Sequence, residues 1–100
     1  MNCDWRVDGI QAQLSALKNT AADLERTIVH EETRDFLLHS AAKSLHDVEY
    51  FLLPQGLKAI PGSAALWLDA AEFQLRSANE TLIHTQDLIA RYGPNLRVIG

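Results

Sequence analysis

Residues 63–92 read SAALWLDAAEFQLRSANETLIHTQDLIARY, and the spacing of apolar side chains in this segment predicts the fold class. One row of large side chains recurs every seven residues: Leu68, Leu75, Leu82 and Ile89. A second row follows three residues after each of them: Ala71, Ala78, Thr85 and Tyr92. Both rows fall on one side of an α-helix, which predicts a helix over 63–92 with an apolar seam. A lone helix of this kind is marginal in water, so other helices must pack against the seam.

The composition sets the broad class. The chain has 100 residues, of which 47% are hydrophobic and only 7% aromatic, which suits one all-α domain with a single modest core. The nine Lys and Arg residues are spread along a chain of net charge −4, so we expect no nucleic-acid partner. No apolar run approaches the ~18 residues of a membrane span. Cys3 is the single cysteine, which fits a reducing compartment, and we expect a cytoplasmic protein.

A second seam predicts a first helix over residues 5–30. Asp4 and Asp8 are both suitable to begin this helix, since a carboxylate can accept from free amides of the first turn. The apolar residues recur at helical spacing: Val7, Ile10, Leu14, Leu17, Ala21, Leu24 and Ile28.

The end of this first helix is open to two interpretations. One heptad position continues far beyond it, interrupted only by Glu31: Ile10, Leu17, Leu24, Glu31, Leu38, Leu45 and Leu52. No Gly, Pro or Asn occurs between Thr20 and Leu53, which favours one helix on the order of 75 Å with a hairpin return. Poor helix formers cluster from Thr27 to Thr33, which favours a turn there with Thr33 as the cap. The second interpretation is preferred and predicts an antiparallel bundle of three helices, over 5–30, 33–53 and 63–92.

Two further segments separate or end the helices. Residues 54–62 predict a linker, because Pro54 stops the preceding helix and Pro61-Gly62 favours a turn. Ser63 is the expected cap of the last helix. Gly93-Pro94 predicts its end, followed by a tail over 93–100.

The second and third helices have more apolar surface than one core needs. The seam predicted for the second helix comprises Leu38, Ala41, Ala42, Leu45, Val48 and Leu52. Other large apolar side chains project away from the two seams, and we take five of them as candidate interface residues: Phe36, Phe51, Leu66, Phe73 and Leu88. A second apolar face is most simply covered by another copy of the chain, so we expect a homodimer.

A polar stripe on the second helix carries the residues best suited to chemistry. Its members share one face: Glu32, Asp35, His39, Lys43, His46 and Tyr50. The spacing from His39 to His46 is two helical turns, about 10.5 Å along the axis, too far for one metal ion without further ligands. We therefore expect no metal site and no cofactor.

The segment Ser44-Leu-His-Asp-Val48 contains a histidine followed by an aspartate on a predicted helix. It resembles the phosphoacceptor helix of the histidine kinases, whose motif is His-Asp-x-x-Gln. The resemblance implies that His46 accepts a phosphoryl group, that Asp47 assists as a base, and that the chain is a phosphotransfer relay domain.

The segment Arg34-Asp-Phe-Leu-Leu-His39 fits an Arg-x4-His pattern. It resembles the motif of the HEPN-type ribonucleases, in which Arg and His of two subunits meet at a dimer interface and cleave RNA without metal. The resemblance implies that Arg34 holds the phosphate and that His39 transfers a proton.

Among these hypotheses, the sequence favours a small interaction or oligomerisation module without catalysis, which binds itself and leaves open another protein as a second partner. The relay domain and the ribonuclease are the two alternatives.

Overall fold

Three helices make up the fold. The structure is a computed structural model that describes residues 4–53 and 64–97. Helix α1 spans Asp4–Thr27, α2 spans Glu31–Phe51 and α3 spans Ala64–Tyr92, and these ranges contain no β-strand. Cys3, the predicted linker over 54–62, the Ser63 cap and the last three tail residues lie outside the described residues.

Contacts at the two ends of the bundle establish the directions of the helices. Arg6, near the start of α1, pairs with Asp69, near the start of α3. At the other end the Val29 amide donates to the Pro94 carbonyl at 3.0 Å, so α1 and α3 run in the same direction. Tyr50, at the end of α2, contacts Trp67, so α2 runs antiparallel to both. The all-helical, three-helix prediction is therefore confirmed.

One hydrophobic core runs between the helices. Its buried members come largely from the predicted seams, with Leu96 added from beyond α3: Ile10, Leu14, Leu24, Ile28, Leu37, Leu38, Ala41, Leu45, Val48, Leu68, Ala71, Leu75, Ala78, Leu82 and Leu96. Two seam positions differ from the prediction. Ala42 is exposed, whereas Leu37 and Thr33, which were not predicted in the seam, are buried on the core side of α2. Tyr92 is also exposed, at the last residue of α3.

The chain reverses between α1 and α2 over residues 28–30. The predicted break is present, so α1 and α2 are separate helices and not the single long helix of the alternative interpretation. The cap is different from the prediction. His30 precedes α2 with extended backbone (φ −87°, ψ 119°), and its side chain makes no capping hydrogen bond within the described residues. Thr33 lies inside the first turn of α2, where it is buried in the core because its face of the helix points inward.

Helix α3 ends as the Gly-Pro pair predicts. Gly93 has a φ of +84°, a left-handed conformation that glycine adopts without a steric penalty. Its amide donates to the Ile89 carbonyl at 2.8 Å, and the Leu96 amide donates to the Gly93 carbonyl at 3.2 Å. This turn brings Leu96 back over the core, where it is buried.

Candidate interaction surface

The five candidate interface residues divide into two groups. Phe36, Leu66 and Phe73 are largely exposed, at 64%, 70% and 63% of their surface. Phe51 and Leu88 are half-buried and pack against the core instead. The exposed three do not form one patch, because antiparallel α2 places Phe36 nearer the opposite end of the bundle from Leu66 and Phe73.

The outer face of α3 carries a further apolar side chain that sequence reasoning missed. Ile83 is 54% exposed. It follows Phe73 by ten residues, and Arg76 and Glu80, both exposed, lie between them. We call these four residues the outer α3 face. The signal for Ile83 was present in the spacing of 3, 4 and 3 residues within this set, but the stronger core seam of the same helix obscured it.

A cluster of aromatic rings joins the end of α2 to the start of α3. The ring centroids of Phe51 and Trp67 are 4.9 Å apart, and Tyr50 lies 6.3 Å from Trp67 in an edge-on arrangement. Edge-on and tilted ring pairs of this kind contribute about 0.5–1.5 kcal/mol beyond the area they bury. Trp67 therefore has a structural role, and Phe51 is largely occupied by the same cluster.

An open groove runs between α1 and α3, beside the outer α3 face. Its volume is about 480 Å³, and its walls come from both helices: Gln13, Ala16, Leu17, Glu72, Leu75, Arg76 and Asn79. The α1 side of the groove includes the small side chain of Ala16. Arg76 belongs both to this groove and to the outer α3 face, so the two surfaces are continuous.

Charged side chains attach α1 to its two neighbours. Arg6 donates a hydrogen bond to Asp69 at 2.8 Å and another to Glu72. These two bonds raise the pKa of Arg6 above its usual value, and the bond to Asp69 has the larger effect. Lys18 pairs with Glu49 of α2 at 3.0 Å. Arg6 is already protonated at neutral pH, so its two bonds position the start of α1 rather than tune a reactive group.

The proposed phosphoacceptor lies on the outside of α2. His46 is exposed, whereas Asp47 is half-buried. Neighbouring helical positions project about 100° apart, so the two side chains point to different sides of the helix. A partner protein has access to the imidazole, while the carboxylate faces the flank of the bundle. The relay assignment stays a prediction.

Arg34 and His39 contribute to one groove between α1 and α2. This groove, of about 320 Å³, is also lined by Glu25 and Asp35. Arg34 is half-buried, and His39 is exposed. Two carboxylates beside one guanidinium oppose the approach of an RNA phosphate. The structure thus brings the predicted pair together but surrounds it with negative charge, and the ribonuclease assignment stays a prediction.

The polar stripe of α2 was the candidate for a metal site. Over the described parts of the chain, no group of three or more His, Cys, Asp or Glu side chains is placed to hold a metal ion. Likewise none of the three described helices combines the length and hydrophobicity that crossing a bilayer requires.

Comparison with known proteins adds no functional assignment. No family model, no curated protein and no solved structure was found to match this chain.

Proposed function

We propose that the protein is a small helical protein–protein interaction module that associates with a second copy of itself and carries out no catalysis. One observation supports this above the others: Phe73 and Ile83 project from the outer α3 face, away from the core that the rest of the helix serves. The two residues lie about 15 Å apart along one face of α3 at 1.5 Å per residue, so a single partner helix along this face would cover both.

A partner on this face would bury the exposed side chains of Phe73 and Ile83 and gain binding free energy from them. Full burial of a Phe or Ile side chain contributes about 1.5–3 kcal/mol. In a symmetric dimer each contact occurs twice, so two such residues supply four buried side chains. Charged Arg76 and Glu80 lie between them, which matches an interface with apolar anchors and charged neighbours that select the partner.

The candidate catalytic residues do not compete strongly with this proposal. Catalysis needs a nucleophile or base, an orienting group and a stabilising charge within reach of one substrate position. Arg34 shares its groove with two carboxylates, and exposed His46 would depend on a partner protein for a phosphoryl group. Neither pair supplies such a set by itself within the described residues.

The test is the solution mass of Phe73→Ala as a function of protein concentration, measured by sedimentation. We expect the wild type to reach twice the 11.2 kDa of one chain and Phe73→Ala to remain a single chain at the same concentration. Phe36→Ala tests the other predicted face, because it removes the same side chain at almost the same exposure from α2, and a dimer lost only in Phe73→Ala assigns the contact to α3. A wild type that stays monomeric, or a Phe73→Ala variant that still dimerises, contradicts the proposal.

A further inference from the structure

We infer that two copies pair antiparallel through the outer α3 face, so that Phe73 packs against Ile83 of the second copy and Arg76 meets Glu80 of the second copy. This inference rests on the proposed self-association and gives it a partner, a face and a register.

The first support is a second line of side chains along α3, distinct from the core seam. Exposed residues recur at alternating spacings of four and three: Asp69, Phe73, Arg76, Glu80, Ile83 and Asp87. Alternation of three and four places side chains in one line along a helix, the arrangement through which two helices pack. Among the described residues, the core seam of α3 packs against α1 and α2, whereas the residues of this second line are exposed and can meet another helix.

The second support is the symmetry of that line. We consider a two-fold axis that crosses the outer side of α3 at the level of Ala78, whose own side chain is buried in the core. Phe73 and Ile83 lie five residues to either side of this level, and Arg76 and Glu80 lie two residues to either side. An antiparallel pair related by this axis brings each residue opposite its symmetric counterpart. Apolar side chains then meet apolar ones, a cation meets an anion, and every contact occurs twice. This self-complementarity is what a two-fold interface requires, and it selects a second copy over an unrelated protein.

The ends of the line are compatible with this pairing. The same axis brings Asp69 opposite Asp87 of the second copy, where two bare carboxylates would repel each other. Each carboxylate already has a cation within its own chain. Arg6 bonds Asp69 at 2.8 Å, and Arg91 pairs with Asp87 at 3.1 Å. These outer contacts therefore add little charge repulsion to the central ones.

The shape of the surface allows the approach. Arg76 lines the groove between α1 and α3, and the α1 side of this groove includes the small side chain of Ala16. Side chains of a second α3 that lean towards α1 have about 480 Å³ of open volume to enter. The incoming helix thus contacts α3 directly and fills a depression of the bundle.

The experiment reverses the central charges one at a time and then together. Arg76→Glu and Glu80→Arg each place like charges opposite one another twice, and each is expected to raise the dimer Kd by on the order of a hundredfold. The double variant Arg76→Glu/Glu80→Arg recreates both ion pairs with exchanged signs and is expected to return to near the wild-type Kd. Lys43→Glu, an exposed charge reversal on α2, is the control and should leave the Kd unchanged.

The outcomes separate this inference from the proposed function. All these positions are exposed, so circular dichroism should show the same helical content in each variant. Single variants that dimerise like the wild type, or a double variant as weak as the singles, overturn the antiparallel register while Phe73→Ala still reports self-association. A wild type that is monomeric throughout the concentration series overturns the proposed function as well.

Discussion

Two chain reversals lie side by side at one end of this bundle, and they are built in different ways. The reversal over 28–30 joins α1 to α2, and that over 93–96 ends α3. The Val29 amide donates to the Pro94 carbonyl at 3.0 Å, so the two touch directly. The second contains a glycine at φ +84° followed by proline, whereas the first contains neither residue.

The comparison separates local from tertiary causes. Gly93 and Pro94 end a helix in almost any setting, because glycine favours the left-handed conformation and proline lacks an amide to continue the helix. Residues 28–30 include no Gly or Pro, and the poor helix formers around them favour a turn only weakly. The reversal is stabilised from a distance, by Ile28 buried in the core and by the bond from Val29 to Pro94.

Removing the tertiary support of the first reversal should lower the free energy of unfolding more than any other change considered below. Ile28 is 1% exposed, so Ile28→Ala removes buried methyl groups and leaves a cavity. We expect a loss of about 3 kcal/mol in the free energy of unfolding, measured by urea titration. That is a large fraction of the stability of a 100-residue domain.

The neighbouring residue supplies the control for this prediction. Val29 is 59% exposed, and Val29→Ala retains the backbone amide that bonds Pro94. Its effect should stay within about 0.5 kcal/mol, as for most surface substitutions. Equal losses in the two variants would show that backbone conformation, and not burial of Ile28, governs the reversal.

A smaller effect is expected at the second reversal. An added Cβ at Gly93 has no heavy atom within 4 Å, so Gly93→Ala tests the positive φ alone. We expect a loss of about 1–2 kcal/mol in the free energy of unfolding. Gly9 is the matched control, since its Cβ would also be in open space but its backbone is helical. Gly9→Ala should gain about 0.5–1 kcal/mol, and a gain at both positions would contradict the local explanation.

The same contrast explains which parts of the fold were predictable. The core seam of α3 followed from its heptad spacing, and the end at Gly93 followed from local chemistry. The turn over 28–30 was one of two open interpretations, because no Gly or Pro marks it and its support comes from tertiary contacts such as the bond from Val29 to Pro94. Thr33 was wrongly predicted as a cap for the same reason. Its burial depends on the packing of the other helices, whereas its residue type and its place near the start of α2 are those of a cap.

The candidate surface was predictable in part. Helical-wheel spacing identified Phe73 and Leu66 as lying off the core seam, and both are exposed. It also selected Phe51 and Leu88, which the bundle half-buries. A wheel gives the direction of a side chain but not the distance to the neighbouring helix. Leu88 packs against the core, and Phe51 packs beside Trp67, for that reason.

The smallest effect is expected from supplying the first reversal with the local signal it lacks. His30 has the extended backbone of a cap but makes no side-chain capping bond within the described residues. A serine there can accept a hydrogen bond from the amide of Glu32, and it adds no charge beside Glu31 and Glu32. His30→Ser should therefore raise the free energy of unfolding by about 0.5 kcal/mol or slightly more relative to His30→Ala, which removes the imidazole without adding a cap. If the two variants are equally stable in urea, the amides at the start of α2 gain nothing from a cap, and tertiary contacts such as those of Ile28 and Pro94 support the reversal.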